Sequence, residues 1–275
     1  MSSKNNNRRR FARALIAGLL VASSMPPWGW WPLAFVGLAM FTSLELTATR
    51  ARQRFTTGFV FGLGWFFPAL AWMWFLTAPG YIVGVAMYAS LHGLASLVVV
   101  RKDNNRSFLF LSPVAHMLIE ALRMCVPFGG VPLATLGIAQ VGGPLHRVAS
   151  IGGVILLSWL TWQVGALLAK RPRDFSVDHQ HRRLLWSLCL LVLVGSYFAP
   201  RGSNTGRDFH VVAVQGGGPQ GTRAINTNPR DVVERHLAAT RTINNNIDNP
   251  IDLVVWPENV IDVADFETSE ELAEI

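Results

Sequence analysis

Long apolar runs alternate with short basic clusters over residues 1–200, and a strand–helix–strand rhythm replaces that alternation over residues 201–275. The apolar runs lie at 11–25, 32–48, 55–77, 80–100, 107–126, 145–169 and 184–200. Several reach the roughly 20 residues that a helix needs to cross about 30 Å of hydrocarbon. The first and fifth are shorter or interrupted, and seven is the count the pattern supports best. Past residue 200, Phe209–Gln215 is a β-branched run that ends in Gly216-Gly217-Gly218, the signature of a buried strand. Residues 230–246 read as a helix whose first turn carries Asp231 and Glu234. Ile251–Trp256 is a second strand, stopped by Pro257. A β–α–β unit predicts parallel neighbours, which brings the turn at Gln215 close to Glu258.

Composition rules out an ordinary soluble domain. Hydrophobic residues make up 51% of the 275 and charged residues only 15%, against about 25% charged in soluble domains. Residues 1–200 hold 18 Lys and Arg against five Asp and Glu, while residues 201–275 hold six against twelve. The chain therefore divides near residue 200 into a membrane domain, 1–200, and a second segment, 201–275. The basic clusters fall at 4–13, 50–54, 101–106 and 170–183, all on one side if seven spans alternate. The loops on the other side (26–31, 78–80 and 127–144) are nearly uncharged. By the positive-inside rule the N-terminus is cytoplasmic and residue 200 emerges outside the cell membrane. Trp28, Trp30 and Trp31 suit an outer interfacial belt. With no small-residue cleavage site after Ser24, the first apolar run reads as a retained span and not as a signal peptide. The positive charge needs no nucleic acid to explain it.

Few residues in the spans offer chemistry. Glu120 and Arg123 stand one turn apart on a helix face, either as a mutually neutralised pair or as a polar lining for a headgroup or anionic substrate. His92 and His116 sit singly in apolar runs and read as packing residues. Between Pro127 and Pro144, which includes Gln140, helix breakers predict irregular backbone. Cys125 and Cys189 have no base nearby in sequence and read as small buried hydrophobes. No metal-ligand spacing or phosphate loop is present, and no cofactor is implied. Glu258 follows the carboxyl end of a hydrophobic strand, where open α/β sheets place their sites. It is either an ordinary strand-end acid or a general base.

The string Asp252-Leu253-Val254-Val255-Trp256-Pro257-Glu258-Asn259 resembles the first catalytic motif of the nitrilase superfamily. Phe59, Gly62, Gly64 and Trp72 resemble a Gly- and Trp-marked span of its membrane-bound branch, the apolipoprotein N-acyltransferases. Glu120-Ala121-Leu122-Arg123 with Gly130, Pro132, Gly137, Gln140, Pro144 and Gly152 resembles that branch's membrane block. Val214-Gln215-Gly216-Gly217-Gly218-Pro219-Gln220 resembles the opening of its catalytic domain, in an actinobacterial-like form.

The resemblance implies a polytopic α-helical membrane domain of about seven spans followed by the start of an αββα nitrilase-like domain outside the cell. It implies transfer of an acyl chain from a phospholipid to the amine of a lipoprotein's diacylglyceryl-cysteine, with Glu258 as the base of a Glu-Lys-Cys triad. Glu120, Arg123, Gln140 and Gln215 are the substrate-binding candidates, and membrane lipids the surroundings. Lys4, Lys102 and Lys170 are the only lysines, and both cysteines precede residue 200. The chain therefore matches a C-terminally truncated member, and no acyl transfer is expected from these residues alone. The alternative expectation is a non-catalytic anchor for a polyprenyl-phosphate mannose synthase, a partnership that the resemblance to actinobacterial members also implies.

Overall fold

The structure is a computed structural model and describes residues 2–99, 107–126, 130–172, 179–200, 202, 206, 208–217, 228–243, 250–257, 260–261 and 265–274. The chain forms two compact units, Met1–Pro200 and Arg201–Ile275.

Every apolar stretch of the first unit holds a helix. These are α1 (Ser2–Ser23), α2 (Pro32–Glu45), α3 (Ala51–Ala69) with the short α4 (Met73–Leu76), α5 (Ala78–Val98), and α6 (Phe108–Arg123). A four-residue α7 (Leu136–Ala139) interrupts the irregular segment before α8 (Ala149–Leu168) and α9 (His179–Phe198). Among the described residues, two helical stretches, Ala78–Val98 and His146–Leu168, are long and apolar enough to cross a membrane. The third stretch is not one rod. Pro68 lies in the last turn of α3, where it has no N–H for the helix ladder, and the chain turns before α4 resumes. Prolines also open helices: Pro32 is the first residue of α2, where a missing N–H costs nothing. At the start of α5, Thr77 accepts a hydrogen bond from the Gly80 amide. α8 is kinked at Gly152 and Gly153, the latter at φ +65°, a conformation that favours glycine.

Small residues let the helices meet backbone to backbone. A Cβ at Gly62 of α3 would lie 2.6 Å from Cα of Ala89 on α5, so only glycine permits this approach. Aromatic rings fill the space behind it: Phe41 stacks on Phe61 at 4.0 Å, and Trp65 stacks on Phe66 at 4.8 Å. Helices α6, α8 and α9 form a second core around Leu109, Leu160 and Leu185, where Cys189 is buried as a small hydrophobe. Cys125, by contrast, is exposed.

In the second unit, β1 (Val211–Ala213) and β2 (Leu253–Val255) pair in parallel, Val212 opposite Val254. The helix between them, α10 (Pro229–Arg241), has Asn228 as a side-chain cap and Pro229 at its first position. A short α11 (Glu270–Glu274) follows. Each strand is shorter than its hydrophobic run, although the Val214 amide still donates to the Val255 carbonyl at 2.9 Å. Leu253, Val254 and Val255 remain over 40% exposed, so this two-stranded sheet has uncovered faces. Arg230 reaches Glu234, Glu271 and Glu274 and ties α10 to α11. The hydrogen bond to Glu274 holds its guanidinium charged even more firmly than usual.

Candidate functional site

In the first unit, polar side chains buried among apolar helices line up along two helix faces. On α6 they are Ser112, His116, Glu120 and Arg123; on α5 they are Tyr88, His92 and Ser96. Steps of three and four residues place each series on one face. From Ser112 to Arg123 the column rises about 16 Å at 1.5 Å per residue. Ser112, His116, Glu120 and Arg123 are all 0% exposed. Buried ionisable groups are costly in hydrocarbon, so this column is the first place to look for function.

At the loop end, Glu120 and Arg123 have separate partners. Glu120 accepts from the Ser158 hydroxyl at 2.6 Å and from the Leu136 amide at 3.3 Å. Arg123 donates to the Leu133 carbonyl at 2.6 Å, and its own carbonyl accepts from the Val131 amide at 2.8 Å. Its guanidinium lies 4.5 Å from the Phe66 ring and 4.3 Å from the Tyr88 ring. Desolvated contacts of this kind are worth about 2 kcal/mol or more. No ion pair joins Glu120 to Arg123 among the described residues. Each of the two also ties the segment 130–136 to the helices, Glu120 through the Leu136 amide and Arg123 through the Leu133 carbonyl. Nε and Nη1 of Arg123 have no hydrogen-bond partner among the described residues. The same holds for both amide atoms of Gln140, which is 0% exposed. Gln140 thus holds free hydrogen-bonding capacity inside the unit, among the described residues.

At the other end of the column lies a group that sequence reasoning missed. The Glu45 carboxylate, at the last turn of α2, accepts from Ser96 at 2.8 Å and Ser112 at 2.7 Å, and lies 3.1 Å from His116 Nε2. His116 Nδ1 is in turn 3.0 Å from His92 Nδ1. Trp162 stacks on His116 at 4.6 Å. The two histidines are therefore linked to each other and to a carboxylate, and are not isolated packing residues. The signal in the sequence was the four-residue spacing of Ser112, His116 and Glu120; Glu45 carried no comparable local mark.

In the second unit, Gln215 and His236 are joined side chain to side chain at 3.0 Å. Trp256 Nε1 donates to Thr240 Oγ1 at 2.9 Å, and its ring lies 5.6 Å from His236. The residues after both strands are thus anchored on α10. Glu258 itself lies outside the described residues. Among the described residues there is no group of three or more His, Cys, Asp or Glu arranged to hold a metal.

The column lies within the region matched by a family model. Residues 17–167 match the N-terminal domain of apolipoprotein N-acyltransferase. The chain belongs to the apolipoprotein N-acyltransferase family. It is 28% identical to the apolipoprotein N-acyltransferase of Pseudomonas paraeruginosa over 91% of this chain and 51% of that protein. It is 29% identical to the one from Mycolicibacterium smegmatis over 91% of this chain and 46% of that protein. The relative from Geobacter metallireducens is 27% identical over 92% of this chain and 51% of its own length. The chain thus spans about half the length of the curated relatives it matches. Within the N-acyltransferase family match, Glu45, His92, His116, Glu120, Arg123 and Gln140 all lie inside the matched residues. The second unit lies beyond them.

Proposed function

We propose that the chain contributes the membrane part and the opening of the catalytic part of an apolipoprotein N-acyltransferase. Its reaction moves an acyl chain from a phospholipid to the amine of a lipoprotein's N-terminal diacylglyceryl-cysteine. The observation that carries this reading is the family match over residues 17–167, joined in the same chain to Trp256-Pro257-Glu258. Seven spans put the N-terminus in the cytoplasm and residues 201–275 outside the cell membrane. Support comes from the one-sided basic clusters and from large apolar side chains left bare on the first unit, such as Leu191 and Phe198 at 68% and 83% exposure.

In this mechanism Glu258 takes the proton from a thiol, the thiolate attacks the acyl ester to form a thioester and release lysophospholipid, and the acceptor amine then displaces the thiol. A lysine stabilises the oxyanion of each step. Residues 201–275 contain neither Lys nor Cys, so these 275 residues supply the base but not the nucleophile. Glu120 and Arg123 position segment 130–136, and Gln140 offers its amide to a polar substrate group on the outer side. Gln215, held by His236, is proposed as a substrate-binding residue of the second unit.

The test is a chimera in which this chain replaces the matching half of the Mycolicibacterium smegmatis relative, assayed for acylation of a diacylglyceryl peptide. The chimera is expected to transfer, and Glu258→Gln to lower the rate at least a thousandfold. A chimera that keeps its full rate with Glu258→Gln would refute the proposal.

A further inference from the structure

One of the basic clusters is shaped into a cleft. The first turns of α1 and the segment Thr49–Thr56 enclose a cavity of about 640 Å³, within the range of small-molecule sites. Its polar wall is made by Asn6, Asn7, Arg50, Arg52, Gln53 and Thr56. No carboxylate is among the described lining residues.

The charge of this region is uncompensated. Residues 1–100 contain eight Lys and Arg and one acid, Glu45. That acid is buried and committed to Ser96, Ser112 and His116. Other residues hold the frame of the cleft. Arg10 donates to the Leu44 carbonyl at 2.8 Å and to Thr47 Oγ1 at 2.9 Å, fixing α1 to the end of α2. Gln53 accepts from the Thr49 amide at 3.2 Å. Among the described residues the guanidinium groups of Arg50 and Arg52 have no partner. They are left to bind an anion, and guanidinium forks suit phosphate oxygens.

A second feature distinguishes a lipid from a free phosphate. Phe11 lines the cleft, and Leu15 and Leu19 continue from it at four-residue steps, all on one face of α1. These three are 36%, 42% and 42% exposed. Free phosphate has no use for such a stripe, whereas an acyl chain does. We infer that the cleft binds the headgroup of an anionic phospholipid, with an acyl chain along Phe11, Leu15 and Leu19. This site is separate from the acyl-donor chemistry proposed above, because its residues lie among the basic clusters and not beside segment 130–136. It shares with that proposal only the premise of a membrane-spanning first unit.

The test uses the full 275-residue chain in detergent and native mass spectrometry with phosphatidylglycerol, phosphatidylcholine or inorganic phosphate. Phosphatidylglycerol is expected to bind at least tenfold more tightly than phosphatidylcholine. Arg50→Gln with Arg52→Gln should weaken it at least tenfold. Lys170→Gln with Arg183→Gln removes the same charge elsewhere and should change it less than twofold. Circular dichroism checks that each variant keeps its helix content. Equal losses in the two double variants, no preference over phosphatidylcholine, or displacement by equimolar inorganic phosphate would each overturn the inference. A chain that stays monomeric without detergent would instead overturn the membrane premise, whatever lipid it binds.

Discussion

Replacing Glu45 by Leu tests whether the buried network is an energetic unit. The substitution removes the acceptor of three hydrogen bonds, from Ser96, Ser112 and His116. Hydrogen bonds between membrane helices are worth about 0.6–1.7 kcal/mol each, so the gross loss is about 2–5 kcal/mol. Both serines lie on helices and can turn their hydroxyls to a carbonyl one turn back, which recovers part of it. His116 has no such recourse, because its second ring nitrogen already faces His92. The net loss is therefore about 2 kcal/mol, and most of it runs through His116. For a unit of this size that lowers Tm by about 4–8 °C, read from intrinsic fluorescence on heating in detergent. The decisive measurement is the cycle with His116→Leu. The double variant removes both sides of the Glu45–His116 contact and leaves His92 Nδ1 without its partner only as His116→Leu alone does, so it should be more stable than the sum of the single losses predicts. Coupling of about 1 kcal/mol or more is expected. Strict additivity would refute the idea that these residues act together.

Three further outcomes follow from the packing. Gly62→Leu forces a side chain onto the Ala89 backbone and should cost about 3 kcal/mol or more as overpacking, seen as a large fall in Tm. Arg123→Lys keeps the charge but loses the planar stack between Phe66 and Tyr88. Hydrogen exchange of the 130–136 amides should rise by about tenfold, while α1 and α3 stay protected. Trp256→Phe keeps an aromatic ring, though a smaller one, and removes the hydrogen bond to Thr240. It should cost about 1 kcal/mol and lower the chimera's transfer rate more than its stability, as measured by parallel activity and melting assays.

The division between what the sequence shows and what it hides follows the range of each interaction. Hydrophobic runs near 20 residues long mark helices by local composition alone, so all seven stretches contain one. The break after Ala69 was also local, since Pro68 stands inside the run, yet a run of apolar residues conceals a turn that keeps its side chains apolar. The parallel pairing of Val211–Ala213 with Leu253–Val255 was readable because a helix-length connection leaves few other ways to join two strands. The network at Glu45 was not readable. Its partners lie 51, 67 and 71 positions away, and nothing local says which helix faces meet. Half of it nevertheless left a trace. A polar residue repeated every four positions through an apolar helix, as in Ser112, His116 and Glu120, cannot face lipid without a cost of several kcal/mol. Such a stripe demands a polar partner on a neighbouring helix. Read that way, His116 required a group like Glu45 before any packing was known, and single histidines in apolar runs are better judged by their neighbours at i±4 than one at a time.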